Sequence, residues 1–194
     1  MQNLAFVTRV MSAHSRPVAP HSLIVYDVPM TYYKPVSKGV NSLPQPGDPG
    51  AFGSVRKHDI HTGVDIYCDP DARVFAIERG VVVAVEKFTG AHADSPWWND
   101  TWAILIRGVD DRVVCYGELK PRAWIQKGYH VFHGETIGEI IPVLKKDKGV
   151  TPTTMLHFEL YKPGTTKSVW WHHGDAQPES LLDPTELLGK IYGQ

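Results

Sequence analysis

From residue 64 onward, apolar and polar residues fall into short runs, several alternating with a period of two. The runs lie at 64–68, 73–78, 81–87, 101–107, 113–119, 136–143 and 154–161. β-Branched and apolar residues fill them, and Gly, Pro, Asp or Asn separate them, which is the pattern of strands joined by turns. Strands this short and close, with no long amphipathic helix between them, predict an all-β domain of antiparallel architecture. The pattern supports one short C-terminal helix, 183–191, where Asp183-Pro184 offers an N-cap followed by proline at the first helical position. Upstream, residues 1–60 are irregular apart from a strand candidate at 22–28, and the Pro- and Gly-crowded stretch 41–53 is a loop. The expected organisation is an irregular N-terminal extension, 1–49, packed on one β domain, 50–194.

Composition narrows the function classes. With 194 residues the chain can bury a sizeable core without staples. Lys and Arg total 20 against 21 Asp and Glu, so the surface lacks the basic excess of a nucleic-acid or anionic-lipid binder. No apolar run approaches the roughly 18 residues of a membrane span, so no membrane insertion is expected. Residues 1–11 carry a short apolar patch interrupted by Arg9, which is not a secretory signal. The chain as given therefore reads as cytoplasmic, unless it is trimmed or released by lysis. Two cysteines, Cys68 and Cys115, both lie in apolar strand runs and read as buried thiols, with a single bridge left open. The 10 histidines invite a search for a metal site.

Alternation sorts the candidate chemistry. In 154–161, Leu156, Phe158 and Leu160 share the core face, and Met155, His157 and Glu159 the other. In 113–119, Val114, Tyr116 and Glu118 lie opposite Val113, Cys115 and Gly117. His61 and Asp65 are four apart, about 13 Å in a straight strand, so sharing an ion requires a bend, which Gly63 is placed to allow. Two imidazoles and one carboxylate, with His157 arriving from another strand, suit Zn²⁺ and leave a fourth position open. Taken alone, His-x-x-x-Asp arises by chance and a strand histidine is usually a plain surface residue.

The ordered set of motifs is more specific. His61-Thr62-Gly63-Val64-Asp65, then Tyr116-Gly117-Glu118-Leu119, then 128–138 (GYHVFHGETIG), then Leu156-His157-Phe158-Glu159 resembles the lysostaphin-like, LytM-type zinc endopeptidases. That family's pattern is HxGxD, YxHL, GxxVxxGxxIG and HxHFE. The resemblance covers roughly 50–162 and implies a β-sandwich-like fold built on a duplicated hybrid motif. It also implies one zinc per chain, held by His61, Asp65 and His157, and a peptide or peptidoglycan-like substrate. Two positions depart from the pattern. Glu118 stands where the family has the histidine of YxHL, and Met155 where it has the first histidine of HxH. A thioether has no proton to exchange, so Met155 cannot replace an imidazole. Glu118 can serve as general base beside activated water, or it hydrogen-bonds a ligand or faces solvent.

Met155, Glu159 and Tyr116 are candidates to brace the ligands or line the groove, although the plainer reading of Glu159 is an exposed strand residue. Trp97-Trp98 and Trp170-Trp171-His172-His173 either line that groove or pack their loops down. The function this implies is zinc-dependent peptide-bond hydrolysis, directed at peptidoglycan cross-links. Its alternative is an inactive zinc-binding module that binds a peptide or glycan or regulates a partner. A phosphotransfer carrier on a similar scaffold is a fold-level analogy that Asp65 and Met155 disfavour.

Overall fold

A computed structural model describes residues 32–39, 42–146 and 154–193. The strand candidate at 22–28 lies outside them. Among the described residues nine strands form one antiparallel sheet: β1 (Val64–Tyr67), β2 (Arg73–Phe75), β3 (Gly80–Thr89), β4 (Thr101–Arg107), β5 (Val113–Pro121), β6 (His130–Val131), β7 (Thr136–Ile140), β8 (Met155–Tyr161) and β9 (Leu181–Leu182). The main path runs β1-β8-β5-β4-β3-β6; β7 joins β5 to β2, and β9 pairs with β8. The all-β reading is therefore correct. The two-residue strands β6 and β9 are too short to show a period and escaped it.

The central strands carry apolar residues on both faces. Ile66, Ile104, Ile106, Val114, Tyr116, Leu156 and Phe158 belong to the larger core cluster, with Val74, Ile137 and Ile140 from β2 and β7. Ala103, Leu105, Val113, Cys115, Tyr161 and Leu181 form a smaller cluster on the opposite face. The single α-helix among the described residues, α1 (Thr185–Tyr192), buries Leu187 and Leu188 in the larger cluster. It starts slightly later than the sequence predicts. Asp183 Oδ1 accepts the Thr185 N–H at 2.8 Å, and Gly193 closes the helix in the left-handed region. Cys68 and Cys115 are both buried free thiols. None of the described helices is long and apolar enough to cross a membrane.

Two features of this frame position the site. Register places Asp65 of β1 directly opposite His157 of β8, and His157 opposite Gly117 of β5. The Pro- and Gly-rich loop delivers carbonyls to the same place: Gly50 O accepts the Asp65 N–H at 2.9 Å.

Candidate metal centre

His61 precedes β1 and is held by a small hairpin: its N–H donates to Ser54 O and its carbonyl accepts from Gly53 N–H, both at 2.9 Å. Gly63 lets the chain pass, but for a reason other than a left-handed turn. A Cβ there would meet Phe158 O at 2.5 Å and His157 Cε1 at 3.0 Å, so the backbone is pressed against β8 and only glycine fits. The approach brings His61 Nε2, Asp65 Oδ1 and His157 Nδ1 into a triangle whose three sides are each 3.1 Å.

The hydrogen bonds around the triangle set the tautomers. His61 Nδ1 sits 2.9 Å from Ala51 O, which can only accept, so Nδ1 carries the proton and Nε2 presents a lone pair. His157 Nε2 sits 3.0 Å from Glu159 Oε1 and donates to it, so in the neutral ring Nδ1 faces inward as a lone pair. Glu159 is in turn bound by the Thr62 hydroxyl and, at 2.8 Å, by the Tyr161 hydroxyl. Arg56 closes the other side with an ion pair to Asp65 Oδ2.

The electrostatics follow from burial. Desolvation pulls the His61 imidazole below its ordinary value. Burial would raise Asp65, but hydrogen bonds to His157 and His61 overcome it and hold the carboxyl well below the usual range. Burial likewise pulls His157 down, and hydrogen bonds to Asp65 and Glu159 outweigh it and push the imidazole up. Two buried carboxylates thus draw positive charge into the triangle, with Arg56 as the adjacent fixed cation.

The donor set fits a divalent ion. A tetrahedral ion with bonds of about 2.0–2.1 Å has ligand atoms about 3.3–3.4 Å apart, close to the 3.1 Å sides found here. The triangle supplies three ligand atoms and leaves a fourth position. Among the described residues this is the group of His, Cys, Asp or Glu side chains with metal-holding geometry.

Glu118 reaches the site by a route that simple alternation does not give. Trp102 pairs with Leu119 and Ile104 with Tyr116, so Gly117 and Glu118 together oppose Ala103 as a β-bulge. Glu118 has φ 66, a left-handed conformation that costs a non-glycine residue roughly 1–2 kcal/mol. The bulge uncouples Glu118 from the face of Val114 and Tyr116, and its side chain lines the clefts over the triangle. Burial, reinforced by the nearby Asp65 charge, pushes its carboxyl up to about 8. Its Oε2 is buried and has no hydrogen-bond partner among the described residues.

Several expectations change. Tyr116 lines no groove: it points into the larger core, edge-on to Phe158, and its hydroxyl accepts the Ile77 N–H at 3.0 Å. The physical reason is that Tyr116 precedes the bulge and keeps the regular alternation. Glu159 is no surface residue; it is 1% exposed and braces His157. Met155 lines the first cleft. His172 stacks against Trp170, and His173 Nε2 binds the carbonyls of Arg56 and Asp59 at 2.8 and 2.9 Å, so both histidines hold their loop. Sequence reasoning missed Arg56, Thr62, Phe88 and Tyr161. Tyr161 continues the period-two series of Met155, His157 and Glu159 and was open to discovery; nothing in the sequence marks Arg56.

Two clefts open over the triangle. One, of about 970 Å³, is lined by Phe52, Tyr67, Val143 and Met155; the other, of about 660 Å³, by Phe88, Lys167, Trp170 and Trp171. Arg56, Trp98 and Glu118 are common to both. Phe88 packs 5.4 Å from the His157 ring, in space that a side chain at Gly117 would occupy.

The antiparallel sheet carries a His₂–Asp triangle of metal-holding geometry at the floor of an open cleft. The sequence profile of Peptidase family M23 matches residues 59–169, and the chain belongs to that family as a divergent, lysostaphin-like member. Solved structures similar to it include a zinc-containing peptidase from Vibrio cholerae, at 22% identity over 66% of this chain and 33% of that one, TM-score 0.39. The match thus spans about a third of the Vibrio protein. A mutant catalytic domain of the prophage-encoded M23 protein EnpA from Enterococcus faecalis matches at 20% identity over 68% of this chain and 97% of that one, TM-score 0.45. The catalytic domain of the antimicrobial peptidase lysostaphin from Staphylococcus simulans matches at 18% identity over 80% and 92%, TM-score 0.43. No curated protein matches.

Proposed function

We propose that the chain is a zinc-dependent peptide-bond hydrolase acting on peptides of the kind that cross-link bacterial cell walls. Zinc is held by His61 Nε2, Asp65 Oδ1 and His157 Nδ1, and Glu118 is the general base. The observation that carries this reading is the buried, partnerless Glu118 carboxylate facing the region of a three-lone-pair triangle. Zinc bound there supplies a Lewis acid and water of lowered pKa. The chain's own residues do the rest. His157 is held by Glu159, His61 by Ala51 O and Asp65 by Arg56, so the donor atoms are fixed before anything binds. A cation in the triangle lowers the Glu118 carboxyl again, and Glu118 then takes the proton of the attacking water and returns it to the leaving nitrogen. The two clefts give the peptide a binding surface on either side of the reacting carbonyl.

Met155 in the first cleft favours a second reading, a module that keeps the ion and binds without cutting. One experiment separates the two. Wild-type protein and Glu118→Gln are loaded with zinc, desalted, assayed for metal, and incubated with purified peptidoglycan while new amino groups are counted. The hydrolase reading expects about one zinc per chain in both proteins and cleavage by the wild type alone, reduced about 10²–10⁴-fold in the variant. Equal cleavage by both removes Glu118 as the base. Retention on the peptidoglycan without cleavage by either establishes the module.

A further inference from the structure

We propose that Arg56 is the residue that binds the substrate's carbonyl oxygen as it becomes an oxyanion; this rests on the hydrolase reading above. The argument begins with the proton donors around the triangle. The His61 Nδ1–H is committed to Ala51 O and the His157 Nε2–H to Glu159. The hydroxyls of Thr62 and Tyr161 are both spent on Glu159. Met155 has no proton to give. Of the three residues shared by both clefts, Glu118 is needed as a base, Trp98 offers one neutral N–H, and Arg56 alone is cationic.

The guanidinium is fixed without being exhausted. Its Nε and Nη2 reach Pro49 O at 3.3 and 3.1 Å, and Nη2 also pairs with Asp65 Oδ2. Nη1 makes no hydrogen bond among the described residues, so two of the five donors remain free. The backbone behind it is clamped. Arg56 N–H donates to Asp59 O at 2.9 Å, Val55 bridges Ile60, and His173 binds the carbonyls of both Arg56 and Asp59. The side chain is 37% exposed, enough to meet a ligand, and it never loses its charge. A fixed cation with free N–H groups beside one vertex of the triangle is the preorganised donor that peptide hydrolysis needs and that neither Glu118 nor Met155 can supply.

The step balances. Water oxygen bonds to the carbonyl carbon, the C=O π pair moves onto the carbonyl oxygen, and the water proton passes to Glu118. Arg56 Nη1–H donates to the resulting oxyanion. On collapse the pair returns, the C–N bond breaks, and the Glu118 proton goes to the leaving nitrogen.

Inorganic phosphate, a tetrahedral oxyanion, probes this role without turnover. The full chain is zinc-loaded as wild type, Arg56→Ala and Arg56→Lys, and phosphate affinity is measured by ³¹P NMR titration alongside zinc content. The expected result is phosphate binding per bound zinc about tenfold or more weaker in Arg56→Ala, with partial recovery in Arg56→Lys. In the cleavage assay, kcat of Arg56→Ala is expected to fall about 10²–10³-fold, with KM little changed and added guanidinium restoring part of the rate. Phosphate binding that is absent in the wild type, or unchanged in Arg56→Ala, overturns the assignment. So does phosphate binding that falls only in proportion to zinc in Arg56→Ala, which would leave Arg56 as a brace for Asp65 alone. A wild type that holds no zinc overturns the hydrolase reading as well, so the two failures are told apart by the metal assay.

Discussion

The two faces of strand β8 are equally dry and differently held. On one, Leu156, Phe158 and Leu160 are 0–3% exposed among other apolar side chains. On the other, His157 and Glu159 are 5% and 1% exposed. The apolar face is stable by packing, since each buried group loses only water. The polar face buries carboxylates whose desolvation packing cannot repay, and it answers with a chain of hydrogen bonds from Tyr161 and Thr62 through Glu159 to His157. That chain leaves one polar group without an answer among the described residues, the Glu118 carboxyl, held in a strained conformation. Strain and an unpartnered buried carboxyl group are tolerated where function needs them.

The sharpest way to break the contrast is to remove the charge at the vertex where the two histidines meet. Asp65→Ala deletes the oxygen that lies 3.1 Å from both imidazoles. The expected outcome is complete loss of zinc after desalting, against about one per chain in the wild type. Metal analysis checks it directly. Zinc retained by Asp65→Ala would mean that the ion sits elsewhere.

The opposite face should respond in the opposite currency. Phe158 is fully buried and packs edge-on to Tyr116 at 5.7 Å. Phe158→Ala is expected to cost about 3–5 kcal/mol by urea denaturation. Glu118→Gln, by contrast, is expected to leave the urea midpoint close to that of the wild type, because the oxygen it replaces has no partner to lose. A large stability loss in Glu118→Gln would show that the carboxylate serves the fold.

How far these two faces were legible in the sequence depended on regularity. Thr101–Arg107 was bounded correctly because apolar residues run unbroken between turn signals. The core face of β8 was likewise plain from Leu156, Phe158 and Leu160. The approach of His61 to Asp65 was readable as a required bend, but its cause, the pressing of Gly63 against Phe158 O, depends on a strand far away in sequence. Glu118 defeated alternation because a bulge inserts one residue and shifts every side chain after it. Arg56 was invisible because hairpins and loop carbonyls place it, with no period to betray it. Glu159 was misread as a surface residue because strand alternation separates two faces without saying how deeply each is covered.

A gentler change sharpens the comparison within the polar face itself. Glu159→Gln keeps the shape but removes the charge that binds His157 Nε2–H at 3.0 Å. Zinc affinity is expected to fall about 10–100-fold, the usual effect of losing the carboxylate behind a ligand histidine. Competition with a chelator measures it. An unchanged affinity would make Glu159 a structural anchor for Tyr161 and Thr62 alone.

The smallest expected effects come from a pair of tyrosines that sit on the two faces. The Tyr116 hydroxyl accepts the Ile77 N–H at 3.0 Å in the larger core. The Tyr161 hydroxyl donates to Glu159 Oε2 at 2.8 Å and accepts the Val169 N–H at 3.1 Å. Each Tyr→Phe change removes one oxygen and little volume. Tyr116→Phe strands a buried N–H, so it is expected to cost about 1–3 kcal/mol of stability with zinc affinity untouched. Tyr161→Phe loosens the carboxylate that orients His157, so it is expected to weaken zinc binding measurably, though less than Glu159→Gln. Urea midpoints and chelator competition, run on both variants, test the division of labour. If Tyr116→Phe weakened zinc as much as Tyr161→Phe, the two faces would be coupled through the sheet, and the separation of packing from chemistry would not hold.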